Sequence, residues 1–134
     1  MKHSIFTVAI IASACALFSC VLTPKNIPED LTAKELIQKG QTAFDKGNKK
    51  AASAYYTALL ERYGDDPAYY IEAKYEIAHI YIKKKQYKTA APLVEEVLEI
   101  YRTVPSGTLP GSFNKLAEVD YAKIPDKYKS TPTE

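Results

Sequence analysis

The side chains that most often carry catalysis or bind metals are sparse in this sequence of 134 residues. It contains two histidines, His3 and His79, and two cysteines, Cys15 and Cys20. They do not cluster, so neither a cysteine–histidine nor a serine–histidine–acid arrangement has support, and zinc would lack the grouped ligands that it needs. The sequence also has no glycine-rich phosphate-binding loop. We therefore expect no enzyme, no metal site and no cofactor.

Two acidic pairs, Asp65–Asp66 and Glu95–Glu96, remain as candidates for acid–base chemistry. Asp66 is followed by Pro67, a combination typical of the start of a helix. Glu95 and Glu96 fall on a helix face that we predict to be solvated. A helix cap and a solvated surface explain the two pairs without catalysis.

The first nineteen residues have the composition of an export signal. Residues 4–18 are apolar or small, and about fifteen such residues are fewer than the roughly 20 that cross a membrane. The Leu-Phe-Ser-Cys sequence of residues 17–20 resembles the lipobox of bacterial lipoproteins. That resemblance implies a signal peptide over residues 1–19 and a lipid, such as palmitate, on Cys20. Cys15 is a weaker candidate, and the alternative is an ordinary or uncleaved signal peptide.

The net charge of the chain limits its possible partners, and the segment before the helices indicates where the protein is located. The formal net charge of +2 at pH 7 gives no reason to expect nucleic-acid binding by counterion release. Residues 20–31 contain Pro24 and Pro28 and lack apolar periodicity, which predicts a lipidated tether. We expect attachment to the cell membrane on the periplasmic face. Val21, where some bacteria place a retention aspartate, favours the outer membrane over the inner.

Residues 32–121 have the pattern of an all-α domain. Thr32 and Glu35 have the spacing of a capping box, so a first helix should begin here and end near Lys46. Beyond it, apolar residues recur at spacings of three and four, as in amphipathic helices. We predict three further helices, over residues 49–63, 67–84 and 87–102.

The C-terminal part of the sequence predicts a loop, a short helix and a tail. Residues 103–111 contain two prolines and two glycines and predict a loop. Ser112 then starts a fifth helix, a lid over the open end of the stack. Its apolar face is predicted to comprise Phe113, Leu116, Ala117 and Tyr121. Residues 122–134 are rich in proline, lysine and threonine, which predicts disorder.

The helical region repeats itself at an offset of 38 residues. The matching sets are Gly47, Asn48, Ala52 and Tyr56, and then Lys85, Gln86, Ala90 and Val94. These units resemble the tetratricopeptide repeat, a helix-turn-helix unit with small residues where its helices touch. Gly40 and Ala78 occupy such positions, whereas Lys85 replaces the usual turn glycine. The resemblance implies two helical hairpins plus a C-terminal capping helix, a fragment of a right-handed α-solenoid.

The turn between the two units is similar to that of variant repeats in bacterial envelope lipoproteins, such as the outer-membrane assembly factor of the beta-barrel machinery. In the repeat family, the first helix of each unit lines a concave surface that holds an extended peptide or a helix. Carried over by position, this surface would comprise Lys34, Ile37, Gln41, Phe44, Asp45, Glu72, Tyr75, His79, Ile82 and Lys83. The alternative is that its apolar members pack against the lid or each other.

Together these features predict a membrane-anchored protein–protein interaction scaffold of the bacterial cell envelope. Its partner would be an unidentified envelope protein or a second copy of the chain. The alternative function is an accessory lipoprotein that binds a small hydrophobic ligand or a solute-transport component between helices and lid. A closed apolar cavity would favour the ligand, whereas an open groove of mixed polarity favours a protein partner.

Overall fold

A computed structural model describes residues 24 and 26–130 of the chain. The signal peptide and the lipidation site that we predict lie outside the described residues. The helices are α1 (Ala33–Asp45), α2 (Lys49–Tyr63), α3 (Pro67–Lys83), α4 (Tyr87–Thr103) and α5 (Gly111–Ala122), followed by a 3-10 turn at Asp126–Tyr128. No strand occurs in this described part, and none of its helices combines the length and the apolar character of a membrane span. The predicted all-α fold of two hairpins and a capping helix is confirmed.

Polar side chains set the starts of the first three helices. Thr32 accepts a hydrogen bond from the amide of Glu35 at 3.3 Å, and the Glu35 carboxylate accepts one from the amide of Thr32 at 2.8 Å. The side chains of Asn48 and Asp66 accept from amides in the first turns of α2 and α3 at 2.9 and 2.8 Å. Each bond satisfies an amide that the helix leaves free, so these boundaries follow from local sequence.

A glycine brings α1 close to α2. A Cβ atom at Gly40 would lie 2.8 Å from Cζ of Tyr56, which is inside van der Waals contact. The Tyr56 ring is therefore packed directly on the α1 backbone, and it is 1% exposed. The small residue expected from the repeat pattern at position 40 is required by this contact.

The helices share two hydrophobic cores, and α3 contributes to both. The first core joins α1 and α2 to one side of α3 and includes Leu36, Tyr56, Leu59, Ala73 and Ile80. The second joins the other side of α3 to α4 and α5 and includes Ile71, Tyr75, Ile82, Val94, Val97, Ala117 and Ile124. The apolar residues around most of the α3 circumference therefore pack on two sides, as the sequence predicts.

The lid helix α5 turns most of the predicted face inward: Phe113, Ala117 and Tyr121 pack in or against the second core. Ala117 is buried and the Phe113 ring lies 5.6 Å from the Tyr75 ring. Leu116, however, is 44% exposed, whereas Asp120 is 2% exposed. The prediction is wrong at Leu116 because hydrogen bonds to α3 hold the Asp120 carboxylate in the buried stripe.

The segment from Ile27 to Leu31, which we call the strap, docks on α2. Both of these residues pack against the first core. Arg62 donates hydrogen bonds to the carbonyl oxygens of Pro28 at 2.6 Å and of Ile27 at 3.0 Å. The Tyr63 hydroxyl donates to the carbonyl oxygen of Leu31 at 2.8 Å. The predicted tether is thus fastened to the domain over its last five residues.

The chain after α5 also packs against the domain. Ile124 is 2% exposed, and the Tyr128 ring lies 5.9 Å from the Tyr87 ring of α4. The amide of Ser130 donates to the Glu95 carboxylate at 2.7 Å. The disorder that we predicted from residue 122 onward is therefore wrong as far as residue 130, because these side chains find partners on α4. Residues 131–134 lie outside the described residues.

The turn inside each hairpin needs a left-handed backbone, with φ of +76° at Gly47 and +56° at Lys85. That conformation costs a residue with a Cβ atom about 1–2 kcal/mol, of which the greater chain entropy of glycine offsets a part. We predict that Lys85→Gly raises the free energy of unfolding by about 0.5–1 kcal/mol and that Gly47→Lys lowers it by about 1 kcal/mol. Urea denaturation measures both changes.

The control is Lys85→Ala, which removes the same charge but keeps a Cβ atom. It should leave the unfolding free energy nearly unchanged. If Lys85→Ala stabilises as much as Lys85→Gly does, charge and not backbone strain is the cause.

Candidate functional site

The candidate site is the inner surface, which we define as the faces of α1 and α3 that carry the predicted contact residues, together with the part of α5 that meets them. Four of the predicted residues are exposed: Lys34, Gln41, Asp45 and Lys83. Four are half-buried: Ile37, Phe44, Glu72 and His79. Two are buried, Tyr75 at 4% and Ile82 at 7% exposure. The surface thus has a polar rim around a partly apolar floor.

Tyr75 and Ile82 form part of the floor beneath this surface. Both belong to the second core, and the Tyr75 hydroxyl donates to Asp120 of α5 at 3.1 Å. Their burial leaves almost no area to offer a partner, so in this state they support the lid. For the ten residues together, partner binding stays a prediction.

Asp120 connects the lid to α3 and was not among the predicted residues. Its carboxylate accepts hydrogen bonds from Nδ1 of His79 at 2.5 Å and from Nζ of Lys123 at 2.7 Å. Burial alone would raise the pKa of Asp120, but the bonds from His79 and Lys123 lower it to about 2. The carboxylate of Asp120 is therefore ionised. This buried acceptor holds α5 against α3.

Two other carboxylates on α3 lack such partners. Glu72 and Glu76 lie one helical turn apart, and both are half-buried. Burial raises the pKa of each; for Glu76 the pKa reaches about 7, because burial outweighs the lowering by His79 and because Glu72 and Asp120 add smaller increases. Neither carboxylate is hydrogen-bonded or ion-paired within residues 26–130. A cationic group placed here would be stabilised by both.

An aromatic ring borders these acids. The half-buried ring of Phe44 on α1 lies 5.5 Å from the ring of His79 on α3. Apolar surface, an imidazole and two carboxylates therefore lie side by side, which suits an apolar side chain and a neighbouring cation of a partner. The described residues contain no group of three side chains that could hold a metal ion.

Glu76 and Asp120 were not among the predicted contact residues, but helical spacing in the sequence could have identified Glu76. Glu76 lies four residues after Glu72 and three before His79, so helical spacing puts it on the same face as two predicted residues. Asp120 had no such signal, because its role depends on where α5 docks.

Residues 36–66 and 71–103 match the tetratricopeptide repeat. Each of the two helical hairpins is thus similar to a tetratricopeptide repeat. The first match covers most of α1 and all of α2, and the second covers most of α3 and all of α4, so α5 lies beyond both. Tetratricopeptide repeats support a protein–protein interaction role, and proteins built from them are typically non-enzymatic scaffolds.

Two relatives extend this comparison. An uncharacterized protein of Treponema pallidum is 31% identical over 110 residues, which cover 81% of this chain and 44% of that protein. A tetratricopeptide repeat and J domain-containing co-chaperone of Fusarium oxysporum f. sp. lycopersici is 32% identical over 71 residues, 53% of this chain and 13% of that protein. The chain thus spans less than half the length of either relative. No solved structure gives a significant match.

The raised pKa of Glu76 predicts a pH-dependent stability. Since its folded-state pKa of about 7 lies above the ordinary value of 4.5, folding favours the protonated acid, and the stability present below about pH 4.5 is lost as the pH rises through about 7. Glu76→Gln should therefore unfold at higher urea concentration than the native chain above pH 7. The two midpoints should converge near pH 4. Glu118→Gln on the exposed side of α5 is the matched control and should leave the pH profile unchanged; a parallel profile for Glu76→Gln would contradict the assignment.

Proposed function

We propose that this protein is a membrane-anchored interaction module of the bacterial cell envelope whose inner surface binds a segment of another envelope protein. The similarity of both hairpins to tetratricopeptide repeats supports the binding role. The observation that carries the proposal is the half-exposed combination of Phe44, His79, Glu72 and Glu76, which leaves two partly desolvated carboxylates without a cation. A partner segment could place an apolar side chain against the Phe44 ring and a neighbouring lysine or arginine against the two carboxylates.

The anchor in this proposal rests on the sequence around Cys20. An apolar stretch of about fifteen residues followed by Leu-Phe-Ser-Cys supports cleavage before Cys20 and lipidation of its side chain. Val21 supports placement in the outer membrane, with the domain on the periplasmic face.

A small hydrophobic ligand is supported less well than a protein partner. The cavities next to the lid, of about 190 and 280 Å³, lie between α4, the following loop and α5. Exposed Glu118 and Arg102 line the larger one, so it has the polarity of a surface cleft. Ligand pockets are usually larger, mostly apolar and enclosed.

Lipidation predicts a labelling result. In cells that express the full chain, radiolabelled palmitate should enter the protein, and Cys20→Ala should abolish the label because the acceptor thiol is gone. Cys15→Ala is the control and should keep the label. Incorporation that survives Cys20→Ala would show that the anchor is elsewhere.

Partner binding predicts a capture result. With a photoreactive amino acid at the exposed Gln41, the lipidated protein in intact envelopes should crosslink to one discrete protein, which mass spectrometry identifies. Phe44→Ala should lower this capture about tenfold or more, as expected of an aromatic anchor. Val119→Ala is the control, because Val119 is 49% exposed on α5 and away from its buried stripe. Equal capture by the Phe44→Ala and native proteins, with both folded by circular dichroism, would contradict binding at the inner surface.

A further inference from the structure

The turns inside the two hairpins gather positive charge at one edge of the molecule. Because consecutive helices are antiparallel, the turn after α1 and the turn after α3 lie at the same end of the stack. Residues 45–50 and 83–88 carry seven lysines and one aspartate. The lysines are Lys46, Lys49, Lys50, Lys83, Lys84, Lys85 and Lys88. We call this set the basic edge.

A groove confirms that the two turns are neighbours. Its volume is about 530 Å³, and Lys49 and Lys50 from the start of α2 line it together with Lys84 from the end of α3. Six of the seven lysines in the basic edge are exposed, and Lys49 is half-buried. The ammonium groups are thus presented to solvent as one surface.

Folding explains only part of these charges: Lys83 lies in the last turn of α3, where the helix dipole favours positive charge, and Lys84 lies 5.6 Å from the centre of the Tyr81 ring. None of the seven ammonium groups forms an ion pair with a residue in the described part of the chain. Lys49, Lys50 and Lys88 lie in the first turns of α2 and α4, which contain no acidic residue. Positive charge at the start of a helix opposes the helix dipole and is unfavourable. A partner that supplies negative charge would account for them.

The strap leads the chain towards this edge. Leu31 and Pro28 are hydrogen-bonded to Tyr63 and Arg62 at the C-terminal end of α2. Further back along the chain, Pro24 lines the groove together with the lysines at the start of α2. Pro24 follows Cys20 by four residues, which span at most about 14 Å. A lipid on Cys20 would therefore be held within a short reach of the basic edge.

We propose that the basic edge docks on the anionic headgroups of the membrane that holds the anchor. This inference rests on the proposed lipidation of Cys20. We infer a membrane as the partner because the basic edge is positively charged and because the proposed anchor lies only a few residues along the chain from it. A lysine next to an anionic bilayer strengthens binding by a factor of about five. With this edge on the membrane, the helix axes point away from the bilayer, and the inner surface stays accessible from the side.

The test uses the chain from residue 20 with Cys20→Ser, which keeps every described residue and carries no lipid. Co-sedimentation is measured with vesicles of phosphatidylcholine alone and of phosphatidylcholine mixed with phosphatidylglycerol. We expect binding to the anionic vesicles only, with an affinity that falls as salt is added. Lys49→Gln combined with Lys50→Gln should weaken it about thirtyfold. This pair removes charges that oppose the helix dipole, so the fold should be retained.

The matched control is Lys39→Gln combined with Lys115→Gln, two exposed lysines outside the basic edge. This pair makes the same change in net charge and should leave the affinity within about twofold. Equal binding to neutral vesicles, no binding to anionic vesicles, or equal losses in the two double variants would each overturn the proposal. Palmitate labelling reports separately on the anchor. Its failure together with charge-dependent vesicle binding would refute lipidation at Cys20 and leave the docking surface intact.

Discussion

The structure depends on the burial of α3 from two sides. This helix has apolar residues around most of its circumference, and the two repeats alone would leave part of its second side uncovered. The first core covers the side with Ala73 and Ile80. The side with Ile71, Tyr75 and Ile82 packs against α4, and α5 and the chain up to Ile124 complete the second core around it. Repeat stacks generally need such a cap at the end, and here it comes from outside the repeats.

The way in which α5 docks also shapes the inner surface. A charged residue, Asp120, is placed in the buried stripe of α5, and a buried carboxylate is tolerated only with hydrogen-bond donors. His79 and Tyr75 of α3 provide them. His79 bonds to Asp120 and to neither Glu72 nor Glu76, although its proximity lowers the pKa of Glu76. The contact that closes the core therefore also leaves an acidic recess beside Phe44.

Caps and apolar spacing in the sequence predicted the helical architecture well. They could not predict contacts between segments that are far apart in the chain. Thr32, Asn48 and Asp66 determine helix starts through bonds to amides two or three residues away, so the sequence predicts those starts to within one residue. Glu76 could have been found by extending helical spacing. The burial of Asp120 in place of Leu116 could not, because apolar periodicity takes no account of a donor 41 residues earlier in the chain. The strap and residues 123–130 were likewise assigned to flexible segments, because their partners lie on α2 and α4.

The strap has a mechanical consequence for an anchored domain. Tension applied through the N-terminal segment would act first on the bonds from Arg62 and Tyr63 to the strap, before it reached the first turn of α1. Peeling the strap away would uncover the part of the first core that Ile27 and Leu31 pack against. It would release five residues, about 17 Å of additional chain at most, while the helices stayed packed on one another. The strap would then limit the force on the helices: it would detach under tension and rebind when the tension is removed.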